Sequence, residues 1–356
     1  MNEEDLVRRL TRWFDRHARD LPWRRGRDEP HAGYRAVVSE LMLQQTQVAR
    51  VVPLFERFIE RFPTPARLAE ASEDDVLAMW SGLGYYRRAR LLHAAACAMV
   101  MAHGGQTPRE ARALQLLPGV GRYTAGAVAS IVFNEPTPIV DGNVGRVLLR
   151  LHGRDGALDE RDTQRWLWER AEELATVAGR ERVSACNEGL MELGATVCTP
   201  ATPDCEACPL CEACVAKATK RQSEIPRPKA RAERRPLWFA MVLVRNSRGQ
   251  ILLEQRGSTG MWARMWQPIA AESATEPSGP AAVLERLGGL ADVEDEVPTD
   301  LSHATTHRDV RFRLWQARWP GGRVPVGRWF SRRAAGELAL SNPVRRLLAI
   351  REPGEG

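Results

Sequence analysis

Five of the seven cysteines in this 356-residue chain fall between Cys198 and Cys214, at positions 198, 205, 208, 211 and 214. Nothing else in the sequence constrains the fold as tightly. In a reducing compartment such crowding reads as a metal or cluster site, not as disulfides. Cys198, Cys205, Cys208 and Cys214 give C-x6-C-x2-C-x5-C, with Pro203 and Pro209 breaking any helix between them. Four thiolates in one compact loop suit an iron–sulfur cluster, whereas structural zinc usually takes two separated C-x2-C knuckles. Cys211 leaves the ligand set open, because Cys205, Cys208, Cys211 and Cys214 form an evenly spaced series of their own. The bland alternative is a group of unligated buried thiols.

The rest of the chain is ordinary in bulk: 44% hydrophobic and 27% charged residues, as in a soluble globular protein of two or three domains. No apolar run approaches membrane-spanning length, and the first residues (Met1-Asn2-Glu3-Glu4-Asp5) are acidic, unlike a signal peptide. A cytoplasmic location without a membrane partner is therefore expected. The net charge of +6 favours a polyanionic partner.

Helical periodicity dominates the first two-thirds, with helices expected over 5–19, 34–52, 53–61, 66–70, 73–80, 87–103, 109–117, 163–179 and 183–194. A basic stretch follows, carrying Lys217, Lys220, Arg221, Arg227, Lys229, Arg231, Arg234 and Arg235 around Pro226 and Pro228. Without an apolar period it reads as a solvated linker able to lie on phosphates. Beyond it the period changes. Residues 238–244 and 251–256 read as strands joined by an Asn-Ser-Arg-Gly turn. A loop at 274–280, a helix near 280–287, strands near 310–319 and a helix near 331–339 complete an α+β module.

Chemistry concentrates in two places. Leu117-Pro-Gly-Val-Gly-Arg-Tyr-Thr-Ala-Gly126 reads as a helix ending at Pro118, a glycine corner and a helix of small residues. Gly119 and Gly121 permit positive φ and close backbone approach, so their amides can face an anion. The segment resembles a helix-hairpin-helix, which holds a DNA phosphate on backbone amides; a plain helix corner with a glycine cap is the alternative. Asp141 opens a further helix before Gly142-Asn143, where its bland role is an N-cap, and Glu40 could be a helical surface glutamate. As a pair they suggest more. Cleaving an N-glycosidic bond needs an acid for the departing base and an anion for the sugar cation.

Gly82-Leu-Gly-Tyr-Tyr-Arg-Arg88 combines a turn, two aromatics and a basic patch. Tyr85 could wedge into a base stack, or simply pack between helices. Gln44 and Gln45 are too polar for a dry core stripe and hint at a polar partner.

Together these segments resemble the adenine DNA glycosylases of the MutY type, within the endonuclease III-like helix-hairpin-helix superfamily. The matching residues are Leu21-Pro-Trp-Arg24, Ser39-Glu-Leu-Met-Leu-Gln-Gln-Thr-Gln47, Gly82-Leu-Gly-Tyr-Tyr86, Leu117–Gly126, Asp141-Gly-Asn143 and the cysteine spacing. The likeness implies a multidomain chain: an all-α helix-hairpin-helix glycosylase core with an iron–sulfur loop, then an α+β Nudix-like domain. Its expected bounds are 1–215 for the catalytic region, 216–235 for the linker and 236–356 for the Nudix-like domain. Within the first, a six-helix module takes about 30–137, and a cluster module takes 1–29 with 138–215.

The resemblance implies that Glu40 protonates adenine and Asp141 stabilises the sugar cation, with Tyr123 and Asn143 supporting them. Gln45, Tyr85 and Arg88 would meet the duplex near the lesion, Gly119 and Gly121 its backbone. Cys198, Cys205, Cys208 and Cys214 would carry a 4Fe-4S cluster, leaving Cys211 as an extra thiol. Bifunctional relatives have a lysine at the position of Tyr123, whose amine attacks the sugar; a phenol cannot form a Schiff base. A monofunctional enzyme is implied, monomeric and bacterial-type, acting in the nucleoid on duplex DNA with adenine opposite 8-oxoguanine or guanine. Gly260-Met-Trp-Ala-Arg-Met-Trp-Gln-Pro268 fits the Nudix-like domain's Gly-Trp-Pro segment, and no glutamate-rich Nudix box is present. The family's lesion loop has Phe-Ser-His or Phe-Thr-His. Here Thr305-Thr306-His307 stands instead, leaving Thr306 and His307 as polar readers without the apolar contact.

Overall fold

The computed structural model describes residues 2–228, 233–299 and 301–349. Lys229 and Arg231 of the expected linker, and the domain calls on Met1 and beyond 349, lie outside the described residues. The early helices are α1 (Glu3–His17), α2 (Ala32–Leu43), α3 (Val48–Arg61), α4 (Pro65–Ala69), α5 (Glu73–Met79), α6 (Arg87–His103) and α7 (Ala111–Leu114). Then come α8 (Arg122–Phe133), α9 (Gly142–His152), α10 (Arg161–Thr196) and α11 (Val215–Ala218). Two compact units result: Met1–Glu70 with Leu91–Ala230, and Ala71–Arg90 with Arg231–Gly356.

In the helical unit, α1 buries Leu6, Leu10, Trp13 and Phe14 along one stripe and is capped by the Asn2 side chain, which accepts from the Asp5 amide at 2.9 Å. That stripe joins Val144, Leu148, Leu167, Leu174, Leu190 and Leu193 in one core. The expected break between 179 and 183 is present, because Gly179 leaves helical geometry (φ 60°, ψ −174°) and divides α10. Other boundaries differ. The helix expected over 34–52 ends at Leu43, and α3 restarts at Val48 with Pro53 inside it. Four consecutive polar residues, Gln44 to Gln47, supply no apolar face to bury, and Gln45 turns the chain with φ 55°. The helix expected over 109–117 shortens to α7, so Leu117 and Pro118 belong to the turn.

Packing of α8 is tight at Gly126, where an added Cβ would lie 2.4 Å from the Pro138 carbonyl oxygen. Backbone cannot yield as a side chain can, so Gly126→Ala is expected to destabilise the helical unit by about 1–3 kcal/mol. Chemical denaturation monitored at the helical circular dichroism band checks this; a midpoint equal to wild type would contradict the packing.

The second unit contains β1 (Arg235–Arg245), β2 (Ile251–Gln255), β3 (Trp266–Ser273), β4 (Asp292–Val297), β5 (Ser302–Ala304), β6 (Arg308–Arg318) and β7 (Arg328–Phe330). Helices α12 (Ala281–Arg286), α13 (Arg332–Glu337) and α14 (Asn342–Ala349) accompany them. The sheet order is β4-β6-β1-β3-β2-β7, with β5 also on β6; β1 and β6 are parallel and the remaining pairs antiparallel. Period-2 alternation along β1 serves two cores. Phe239, Met241 and Leu243 face one, with Val344 and Leu347 of α14. Ala240, Val242 and Val244 face the other, with Val283 of α12.

The Asn-Ser-Arg-Gly turn forms as expected: Asn246 Oδ1 accepts from the amides of Arg248 and Gln250, each at 3.0 Å, and Gly249 takes φ 70°. β3 and β4 escaped sequence reading. Pro268 interrupts the strand signal of β3, and the acidic run Asp292–Val297 is exposed along an edge strand. No described helix is long and apolar enough to cross a membrane.

Candidate active site

Glu40 on α2, Tyr123 on α8, and Asp141 with Asn143 at the start of α9 line one cavity of about 570 Å³ in the helical unit. Four residues separated by a hundred positions in sequence thus meet. Each carboxylate is held differently. Asp141 caps α9, accepting from the Val144 amide at 2.7 Å and from Asn143 Nδ2 at 3.0 Å. Burial nevertheless raises its pKa, against the opposing pull of those hydrogen bonds and of Arg146. Asn143 is fixed in turn: its Oδ1 accepts from Arg146 at 2.8 Å.

Glu40 is pushed up to about 7, chiefly by burial and also by the neighbouring charges of Asp141 and Glu188, while the hydrogen bond from Tyr123 pulls it down. The Tyr123 phenol is held well above its ordinary value by burial and by the two carboxylates, so it stays a donor. Met191 Sδ also lies 3.3 Å from that hydroxyl. With one proton to give, the phenol favours the carboxylate, the stronger acceptor.

Glu188 and Glu192 of α10, which sequence reading missed, are 3% and 1% exposed beside the same cavity. Arg24 donates to both at 2.9 Å, Arg19 donates to Glu192 at 2.6 Å, and Arg27 donates to Glu188 at 2.7 Å. Burial raises the Glu192 carboxyl, but Arg19 and Arg24 outweigh it and leave it lowered. The available signal was two glutamates four apart on an otherwise apolar helix face, with an arginine-rich segment from 19 to 27 lacking acidic partners enough nearby.

The hairpin before α8 has its corner at Gly119, where φ is 79° and an added Cβ would lie 2.7 Å from Leu91 Cβ. Gly121 differs from expectation. It is the N-cap of α8 with φ −85° and ψ 179°, and an added Cβ would meet nothing within 4 Å. Its backbone geometry is open to any residue, so only Gly119 carries the conformational requirement.

The cysteine loop packs Cys198, Cys208 and Cys214 against the helical core. Burial pushes the Cys208 thiol up to about 12, and Cys198, Cys214 and Cys211 add to it; Cys214 is raised by burial, Cys198 and Cys205. Arg150 donates to Cys198 Sγ at 3.4 Å, and Gln222 donates to Cys205 Sγ at 3.7 Å. Among the described residues no group of three or more His, Cys, Asp or Glu is placed to hold a metal ion. The five thiols are half-buried, with Arg150 donating to one of them, and soft sulfur donors of this kind are the ligands an iron–sulfur group takes.

In the second unit Tyr85, at φ 48° and 48% exposed, lies with its hydroxyl 3.3 Å from Thr306 Oγ1. Thr306 and His307 are exposed in the turn between β5 and β6. Thr305 closes that turn, its Oγ1 accepting from the Arg308 amide at 2.9 Å, which explains a small polar residue there. Arg88, expected to meet the duplex, is largely buried. It is 7% exposed, donates to the Gly84 carbonyl at 3.2 Å and lies 5.4 Å over the Tyr85 ring. Burial lowers its pKa to about 10, and it shapes the Tyr85 loop from beneath. Gln45 is exposed and lines the helical unit's cavity.

Residues 38–173 match the HhH-GPD superfamily base excision DNA repair protein family, and residues 240–349 match a NUDIX domain. The fold and site thus define the class: a helix-hairpin-helix base-excision core followed by a Nudix-like domain. Adenine DNA glycosylase of Rattus norvegicus is 48% identical over 203 residues, 56% of this chain and 39% of the rat protein. That of Buchnera aphidicola subsp. Schizaphis graminum is 32% identical over 260 residues, 72% of each chain. Among solved structures, a thermostable thymine-DNA glycosylase aligns with TM-score 0.53 and 26% identity, over 61% of this chain and 97% of its own. The chain belongs to the adenine DNA glycosylase family of the MutY type. It spans well under half the length of the rat relative over the aligned stretch.

Proposed function

We propose that this protein is a monofunctional, monomeric DNA glycosylase that removes adenine paired with 8-oxoguanine, and with guanine, from duplex DNA. The observation that carries this reading is the Glu40 carboxyl raised to about 7 beside Asp141 in one cavity. Two carboxyls in different surroundings divide the work of glycosidic cleavage. Glu40, protonated near neutrality, gives its proton to the flipped adenine as the C–N bond breaks. Asp141, held by the Val144 amide and Asn143, stabilises the positive charge that develops on the sugar. Tyr123 orients Glu40 without offering an amine, so water completes the hydrolysis and the strand stays intact. Gly119 and the α8 amides grip a phosphate; Gln45 and Tyr85 fill the duplex, and Thr306 and His307 read the opposite base. The catalytic region, linker and Nudix-like domain keep the bounds 1–215, 216–235 and 236–356 in this reading.

Cys198, Cys205, Cys208 and Cys214 would hold a 4Fe-4S cluster, which ties the loop together by iron–sulfur bonds. Purified protein is expected to absorb visibly at about 400 nm, and Cys214→Ser to bleach that band; a colourless protein containing zinc would exclude the cluster.

Duplexes carrying A:8-oxoG, A:G, T:G or a hydrolysed pyrimidine test the activity, each assayed for breaks with and without alkali. Breaks at adenine only after alkali are the expected result. Breakage without alkali would refute monofunctional chemistry, and silence on every duplex would remove the enzyme reading.

A further inference from the structure

Arg122 is the first residue of α8, directly after the Gly119–Gly121 corner, and its side chain is exposed. Its guanidinium carbon lies 3.8 Å from the Trp168 ring centroid, closer than the neighbouring Arg154–Trp166 pair at 5.0 Å. Trp168 is on α10, half-buried and packed against the helical core, so the ring is a fixed platform. No described carboxylate or carbonyl takes the N–H groups of Arg122. Stacking uses the flat face of a guanidinium and leaves its in-plane donors available for a planar or tetrahedral oxyanion. A free arginine would lose considerable rotamer freedom on gripping a phosphate; this one has already lost it.

We propose that Trp168 is a positioning residue for DNA binding: it holds Arg122 ready for a backbone phosphate adjoining the one gripped at the Gly119 corner. The inference rests on duplex DNA being the ligand. Undamaged labelled duplex, titrated by fluorescence anisotropy over a series of salt concentrations, separates the two. Arg122→Ala is expected to lower the slope of log affinity against log salt by about 0.9. Trp168→Leu is expected to bind about 2- to 5-fold more weakly, Trp168→Phe to recover most of that loss, and Trp168→Leu to add nothing to Arg122→Ala. Arg122→Lys keeps the charge without the flat face. It should weaken binding similarly with the wild-type slope, a result that does not depend on Trp168→Leu folding. If wild type shows no salt-dependent binding, the DNA reading and this inference both fall. If wild type binds but Arg122→Lys matches it, or Trp168→Leu and Arg122→Ala are additive, only the positioning role falls.

Discussion

Glu40→Gln is expected to cut adenine release by about 100- to 10,000-fold while leaving duplex affinity near wild type. The amide keeps the size of the side chain and an acceptor for Tyr123, but it has no proton to give. Wild-type activity should fall as pH rises through about 7, because the acid form of Glu40 is then lost. The same shift has a stability consequence of definite sign. Between the ordinary value of 4.5 and the folded value of about 7, the native state keeps a proton that the unfolded chain releases. Stability from this group is fully present below 4.5 and is lost as pH rises through about 7, by up to about 3 kcal/mol. Glu40→Gln removes that dependence. Its melting temperature should therefore exceed wild type at pH about 8 and approach it near pH about 4. Appreciable remaining turnover would take Glu40 out of its role, and identical melting at both pH values would show that its carboxyl is not perturbed.

Arg24→Ala is expected to have the largest effect on stability. Its guanidinium donates to Glu188 and Glu192, both almost fully buried, and to the Arg19 carbonyl at 2.9 Å. A buried ion pair stripped of one partner loses about 3–5 kcal/mol, because the remaining charges sit in a poor solvent. Arg19 and Arg27 still reach one glutamate each, which places the outcome toward the lower figure. Activity should suffer as well, since uncompensated charge at Glu188 acts on Glu40 beside it. The triple variant Arg24→Ala, Glu188→Gln, Glu192→Gln should recover much of the stability, because no buried charge is then stranded. Urea denaturation of the single and triple variants decides this. A single variant as stable as wild type, or a triple variant no better than the single, would show that the network carries little energy.

The two expectations differ in how far they were visible in advance. Glu40 and Asp141 stood out in the sequence as a pair, and Tyr123 and Asn143 through the motifs that carry the family resemblance. Glu188 and Glu192 did not, because a glutamate on a helix is most often solvated. Only the packing of residues 19 to 27 against α10 makes those glutamates buried and paired. Arg88 shows the converse. Its neighbours Tyr85, Tyr86 and Arg87 read as a basic, aromatic surface, yet the turn at Gly84 folds the guanidinium inward onto backbone carbonyls. Side-chain direction at a turn is set by backbone dihedrals that composition does not reveal.

Secondary structure divides along a similar line. Long amphipathic helices such as α1 and the strongly alternating β1 were legible, since their periodicity is the same signal that buries them. The break at Gln44–Gln47 and strands β3 and β4 were not. Their form depends on partners elsewhere in the chain.

The sequence by itself determined the chemical types: thiols in one short loop, a glycine corner before a helix of small residues, two separated acids, and a phenol where a lyase would need an amine. These are fixed by local covalent spacing and survive any packing. What only the tertiary structure decided is the state of those groups. The same glutamate is an ordinary carboxylate in an open chain and a neutral-range acid in the cavity, because burial and the charges of Asp141 and Glu188 act through space and fall off with distance.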